Sequence, residues 1–194
     1  MSNHIGVLAL QGAFALHVEA CRELGFESSE VRTADQLGAV DRLIIPGGES
    51  TTMSMMLDRN DLSAPLAERL DDGMPVFGTC AGMILLADKV SDGREDQVSF
   101  GAINLAVKRN GYGRQNQSFS DEIFVDRLDN ADLGFHAVFI RAPLVEVVGD
   151  GVQVLATHDG AAVLCQQNSV LVAAFHPELS PDRRLHRYFC SLPR

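Results

Sequence analysis

The feature that most constrains this fold is a unit repeated across residues 5–89. A short apolar run ends in a break, and a helical pattern follows. IGVLAL (5–10) stops at Gln11-Gly12, after which Phe14, Val18, Cys21 and Leu24 recur at helical spacing until Gly25. SSEVR (28–32) reads as a second short strand. RLIIP (42–46) breaks at Gly47-Gly48, and helical patterns run from about 51 to 57 and from 63 to 70. PVFGT (75–79) is followed by a helical pattern over 81–89. Such alternation predicts an α/β fold: an open, mostly parallel sheet flanked by helices.

Beyond about residue 98 the texture changes. AINLAVKR alternates, and HAVFIRAP, VQVLAT, AAVLCQ and VLVAAF follow one another closely with few helical patterns between. The expectation is added antiparallel strands in the C-terminal half, extending the sheet or folding over it. DRRLHRYFC (182–190) reads as a final helix. No repeat or linker interrupts the chain, so residues 1–194 are read as a single domain, and 46% hydrophobic residues suffice for a core.

A net charge of −10 argues against nucleic acid or an anionic membrane as partner. The apolar runs fall far short of the ~20 residues a membrane-spanning helix needs. MSNHIGVLAL enters a strand with no basic region or cleavage site before it, so a cytoplasmic location is expected. The four cysteines, Cys21, Cys80, Cys165 and Cys190, form no C-x-x-C pair. Zinc and thioredoxin-like readings are therefore weak, no metal site is expected, and free thiols suit a reducing compartment. Cys21, Cys165 and Cys190 read as small core residues.

In open parallel sheets, ligands bind beyond the carboxyl ends of the strands. Three breaks fall at such ends: Gln11-Gly12, Gly47-Gly48-Glu49-Ser50 and Gly78-Thr79-Cys80-Ala81-Gly82. The third has the form G-x-C-x-G between strand and helix, the thiol counterpart of a nucleophile elbow. A thiolate there lies at the start of a helix, where the dipole favours it, and the Ala81 N–H is aimed at an oxyanion. The bland alternative is a glycine-rich turn holding a buried cysteine. A nucleophilic thiol needs a base and the base an orienter. Of His4, His17, His136, His158, His176 and His186, five read as surface or partly buried residues. His176 instead closes VLVAAF and precedes Pro177-Glu178. Proline keeps the preceding residue extended, and residues two apart then share a side, so Glu178 can hold the imidazole. Gly47 and Gly48 permit close ligand approach, and their N–H groups could complete an oxyanion hole. A phosphate loop is disfavoured, because no lysine follows and Glu49 would repel phosphate. A helix cap at Ser50 or Thr51 is compatible with either reading.

GTCAG (78–82) with His176-Pro177-Glu178 resembles the triad, or class I, glutamine amidotransferases. LALQGA (8–13), PGGEST (46–51), Gly113-Arg114-Gln115 with Ser118-Phe119, FIRAP (139–143) and FHPEL (175–179) narrow the resemblance to the glutaminase subunits of pyridoxal 5′-phosphate synthases. The resemblance implies a flavodoxin-like sheet and hydrolysis of L-glutamine to glutamate and ammonia. Cys80 would be the nucleophile, His176 the base and later the acid, and Glu178 the orienter. It places glutamine contacts at Gly48, Glu49, Ser50, Arg109, Ile140 and Arg141. A rival role for Arg109 and Arg141 is pairing with acidic groups. The implied partner is a (β/α)8-barrel pyridoxal 5′-phosphate synthase subunit that takes up the ammonia, with Gln11 at the contact and an interface around residues 11–17. The hydrolysis needs no cofactor.

This sequence departs from the family pattern at Gly111, where serine is usual, at Ser120, where an acidic residue is common, and at Leu16, which replaces glutamate. None touches the expected triad. Three rivals are a glutaminase serving another acceptor, a catalytically silent binding subunit on the same fold, and a flavodoxin-like cofactor binder, the last disfavoured because no phosphate loop is apparent.

Overall fold

The computed structural model describes residues 4–93, 97–111 and 118–193. Gly113-Arg114-Gln115 lies outside the described residues. The first half runs β1 (Ile5–Leu8), α1 (Phe14–Glu23), β2 (Ser28–Val31), α2 (Ala34–Gly38), β3 (Arg42–Ile45), α3 (Ser50–Arg59), α4 (Ser63–Asp71), β4 (Val76–Thr79) and α5 (Ala81–Leu86). The second half is strand-rich: β5 (Ala87–Val90), β6 (Ile103–Lys108), β7 (Ser118–Ile123), β8 (Phe135–Ile140), β9 (Leu144–Val148), β10 (Gln153–His158), β11 (Ala161–Gln167) and β12 (Val170–Ala173). A 3₁₀ turn (Pro177–Leu179) and helix α6 (Arg184–Ser191) follow.

The main sheet has seven strands in the order β10-β11-β12-β4-β3-β1-β2. Strands β12, β4, β3, β1 and β2 pair in parallel, and β11 and β10 extend the edge antiparallel. Counting the parallel strands by chain order gives 2-1-3-4-5, the flavodoxin-like doubly wound order. Residues of β1, β3, β4 and β12 are buried throughout. That burial on both faces is why their sequences read as unbroken apolar runs rather than as alternation. Edge strand β2 is only partly covered.

The remaining strands form two small sheets, β5-β6-β9 and the hairpin β7-β8. They meet the main body near its carboxyl ends, where the His176 N–H donates to the Val138 carbonyl at 2.8 Å. Phe139 of β8 packs on Phe119 and Phe175, with ring centroids 4.6 and 5.6 Å apart.

The expected mixed α/β architecture is therefore present, with local corrections. The helix read over 81–89 ends at Leu86, because Ala87 turns extended (φ −62°, ψ 153°) and β5 pairs with β6. Helix α2 and strands β7 and β9 were not anticipated. SFSDEI in β7 is too polar to read as a strand and is carried by its antiparallel partner β8.

Candidate active site

Cys80 occupies the joint between β4 and α5 with φ 51° and ψ −102°. A left-handed φ at a residue carrying a Cβ is strained, on the order of 1–3 kcal/mol, and persists only where its surroundings over-determine it. Here they do. The Cys80 N–H donates to the Ala173 carbonyl of β12 at 2.8 Å. The helix beyond is pressed against β3 so closely that a Cβ on Gly82 would come within 2.2 Å of the Ile45 carbonyl oxygen. Glycine at that position lets α5 start immediately after the elbow. The Cys80 Sγ points toward the Ile140 carbonyl at 3.8 Å.

His176 follows β12, the neighbour of β4, so sheet order alone brings it beside Cys80. Its Nδ1 lies 2.8 Å from Glu178 Oε1; the expected contact forms, but across a 3₁₀ turn (Pro177–Leu179) rather than along an extended segment. The Glu178 side chain is fully buried and that of His176 nearly so. Burial works against charge on His176, but its interactions with Cys80 and Glu178 outweigh that and raise its pKa to about 10. Burial likewise opposes charge on Glu178, yet the close approach of His17 and His176 holds its carboxyl far below the usual range. The site thus favours a charged imidazole on His176 once that ring has taken up a proton, paired with the Glu178 carboxylate. By contrast, burial pushes the Cys165 thiol up to about 12, and the Cys190 thiol is raised by Cys21 and by burial. Both lie in the core, away from the cavity.

Gly47 is required by close approach. A Cβ there would stand 2.3 Å from His176 Cε1 and 3.3 Å from Cys80 Cβ. The Gly47-Gly48 loop is held from the other side by Gln11, whose side-chain oxygen accepts the Glu49 N–H at 3.1 Å. Among the described residues, no backbone carbonyl outside regular elements takes the Gly48 or Ala81 N–H. Ala81, the first residue of α5, has no intrahelical acceptor for its N–H.

A cavity of about 190 Å³ opens beside the thiol. Gly48, Glu49, Ser50, Cys80, Arg109, Ile140, Arg141 and His176 line it, so the six residues expected to contact glutamine share one cavity with the thiol. Ala81, Glu178, Gly47 and Gln11 stand behind this lining. Glu49 has a prior commitment as the N-cap of α3, the role the sequence had offered to Ser50 or Thr51. Its oxygens accept the Thr51 N–H at 3.1 Å and the Thr52 N–H at 2.7 Å. Although burial acts the other way, these bonds lower its pKa. Arg109 is also anchored. Its Nη1 donates to Thr51 Oγ1 (3.1 Å) and Gln97 Oε1 (2.9 Å), and its Nη2 lies 3.9 Å from Glu49. Arg141 makes no hydrogen bond or ion pair among the described residues and sits on a left-handed turn, φ 45°.

Sequence reasoning missed four residues. Ile84 and Asn110 also line the cavity. His17 and His186, read as surface or partly buried, are both fully buried. The signal was available for both. His17 lies on the same helical face as Phe14, Val18 and Cys21, and His186 on that of Leu185, Phe189 and Cys190. At Gly111, a Cβ would approach Leu144 Cβ to 2.1 Å, so this departure is matched to its neighbour on β9. Leu16 is exposed beside the buried His17.

Fold and site together define an open α/β sheet that gathers a cysteine, a histidine and a buried carboxylate at the carboxyl ends of its strands. The chain belongs to the SNO glutamine amidotransferase family, whose model matches residues 7–192. It is 52% identical over 194 residues to a pyridoxal 5′-phosphate synthase subunit PdxT from Mycobacteroides abscessus, covering 100% of this chain and 99% of that one. It is 51% identical over 192 residues to the PdxT subunit of Mycobacterium tuberculosis, covering 97% and 95% of the two chains. A solved glutamine amidotransferase superposes with a TM-score of 0.88 at 44% identity, covering 95% of this chain and 96% of its own. PurLQS from Thermotoga maritima shares the fold, with a TM-score of 0.66 at 18% identity over 97% and 98% of the chains.

Proposed function

We propose that this chain hydrolyses L-glutamine to L-glutamate and ammonia, as the glutaminase subunit of a pyridoxal 5′-phosphate synthase, with residues 1–194 working as one domain. The observation that carries the reading is the 2.8 Å bond from His176 to Glu178 beside the elbow thiol. It fixes the proton on Nδ1 and leaves Nε2 to exchange a proton with Cys80. Cys80 passes its proton to His176 and attacks the side-chain amide carbon of glutamine. The carbonyl oxygen becomes an oxyanion, met by N–H groups of Gly47, Gly48 and Ala81. His176 returns the proton to the departing nitrogen, the C–N bond breaks, and ammonia leaves a γ-glutamyl thioester on Cys80. Water then attacks the thioester, gives a proton to His176, and releases glutamate and the free thiol.

The α-carboxylate of the substrate falls to the uncommitted Arg141 guanidinium, with anchored Arg109 adding positive field. Glu49, Ser50, Gly48 and Ile140 frame the rest. The ammonia passes to a (β/α)8-barrel synthase subunit docked against residues 11–16, since His17, expected in the same face, is buried, and Gln11 links the docking face to the Gly47-Gly48 loop. No cofactor, metal, nucleic acid or membrane enters this chemistry, and a cytoplasmic setting suits the free thiols.

The test is glutamine hydrolysis by the purified chain with and without the cognate synthase subunit. Stimulation by that subunit and transfer of amide ¹⁵N from glutamine into pyridoxal 5′-phosphate are expected. Hydrolysis indifferent to that subunit, with no transfer, points to another acceptor.

A further inference from the structure

The carboxylate of Glu178 has two faces, and the His176 bond uses one. Oε2 is fully buried and has no well-aligned hydrogen bond among the described residues. Its nearest partner is His17 Nε2 of α1, at 3.3 Å, which also lies 3.5 Å from Thr79 Oγ1. His17 Nδ1 in turn lies 2.9 Å from His186 Nε2 of α6. Both rings are fully buried, with centroids 5.1 Å apart.

The proton positions along this chain follow from its far end. His186 Nδ1 has no partner among the described residues. A buried orphan N–H is less tolerable than a buried orphan acceptor, so the His186 proton belongs on Nε2, shared with His17. His17 Nδ1 is then the acceptor, and the His17 proton sits on Nε2, facing Glu178. We propose that His17 is a positioning residue for the hydrolysis. It donates to Glu178 Oε2 and keeps that carboxylate ionised and turned toward His176, while His186 fixes the His17 tautomer. The inference rests on the glutaminase reading above and extends the site into α1 and α6, which pack together.

The groups facing Glu178 are His176 beyond β12, His17 from α1 and, farther off, His186 from α6; Arg183, just before α6, acts on His186, and Cys80 acts through His176. Loss of the His17 donor raises the Glu178 pKa. The acid limb of the kcat/KM profile then moves to higher pH.

Two polar variants separate positioning from packing. In His17→Gln the amide nitrogen takes the place of Nε2 and reaches Glu178. In His17→Asn the amide stands at Nδ1 and keeps only the His186 side. With the cognate synthase subunit present, His17→Asn should lower kcat on the order of tenfold, leave KM unchanged and shift the acid limb upward. His17→Gln should restore most of the rate and the wild-type limb. Equal impairment of both variants with an unshifted acid limb overturns the proposal, as does wild-type behaviour of His17→Asn. Should either variant fold poorly, the rate of Cys80 alkylation by a glutamine-derived diazoketone, measured against pH on the folded fraction, reads the same limb. Full turnover by Cys80→Ala would instead sink the glutaminase reading itself.

Discussion

The parallel core and the antiparallel additions contribute to this site in different ways. Cys80, the Gly47-Gly48 loop and His176 all leave the ends of strands buried on both faces. Their positions are over-determined by register: Ala173 pairs with Thr79, and Ile45 with Gly78. Arg109, Asn110 and Arg141 come from turns of the two small sheets and Ile140 from the last position of β8; Asn110 and Arg141 adopt left-handed φ and are exposed. On the proposed mechanism, the bond-making groups sit at the ends of fully buried strands and the substrate-facing charges on more exposed turns. A nucleophile and its base tolerate little misplacement, whereas an arginine reaching for a carboxylate adapts through its own side chain.

Substitutions on the two sides should therefore fail differently. The largest effects belong to the core. Cys80→Ala and His176→Asn should each reduce kcat by about 10⁴–10⁶-fold while thermal melting shows an intact fold. Near-normal turnover in either removes the triad assignment. Glu178→Gln should cost less, about 10²–10⁴-fold, because it orients rather than reacts. Gly47→Ala pushes a methyl group into the His176 ring, and a displacement of this size should cost about 10²-fold in kcat. A crystal structure of that variant with an unmoved imidazole would contradict the reason given. On the other side, Arg141→Ala should raise KM about ten- to hundredfold with kcat largely kept. A kcat loss instead would mean that the turn helps to build the catalytic geometry.

Much of the parallel half was legible because its physics is local. A strand buried on both faces must be apolar throughout, and a nucleophile elbow must have small neighbours. The G-x-C-x-G joint therefore carried its geometry in the letters, and the His-Pro-Glu spacing carried the contact but not the 3₁₀ turn that makes it. The second half was less readable. Strand β7 is polar and depends on pairing with β8, and a short apolar stretch such as 81–90 can be helix or strand until its partner is known. Glu49 as the cap of α3 was missed because glutamate is a less common cap than the serine beside it. The contact of His17 with Glu178 joins positions from distant parts of the chain, so only the fold reveals it.

The smallest expected effect concerns stability and pH. The depressed pKa of Glu178 stabilises the fold above its unfolded value of ~4.3, and this contribution is lost as pH falls further. The raised pKa of His176 stabilises the fold below its unfolded value of ~6.5. That contribution is lost as pH rises toward about 10. Both are fully present between roughly pH 4.3 and 6.5. The melting-temperature gap between wild type and Glu178→Gln should be widest there and shrink on either side. A gap independent of pH would show that the pair is not ionised in the folded state.

The central claim is that Cys80 carries the glutamyl group. Acid-quenching the wild-type chain during turnover with glutamine and the cognate synthase subunit, followed by peptide mass spectrometry, tests it directly. The account predicts a glutamyl adduct on the peptide containing Cys80, labile to hydroxylamine and absent from Cys80→Ala. Continued glutamine hydrolysis with no adduct on Cys80, or with an adduct on another residue, would contradict it.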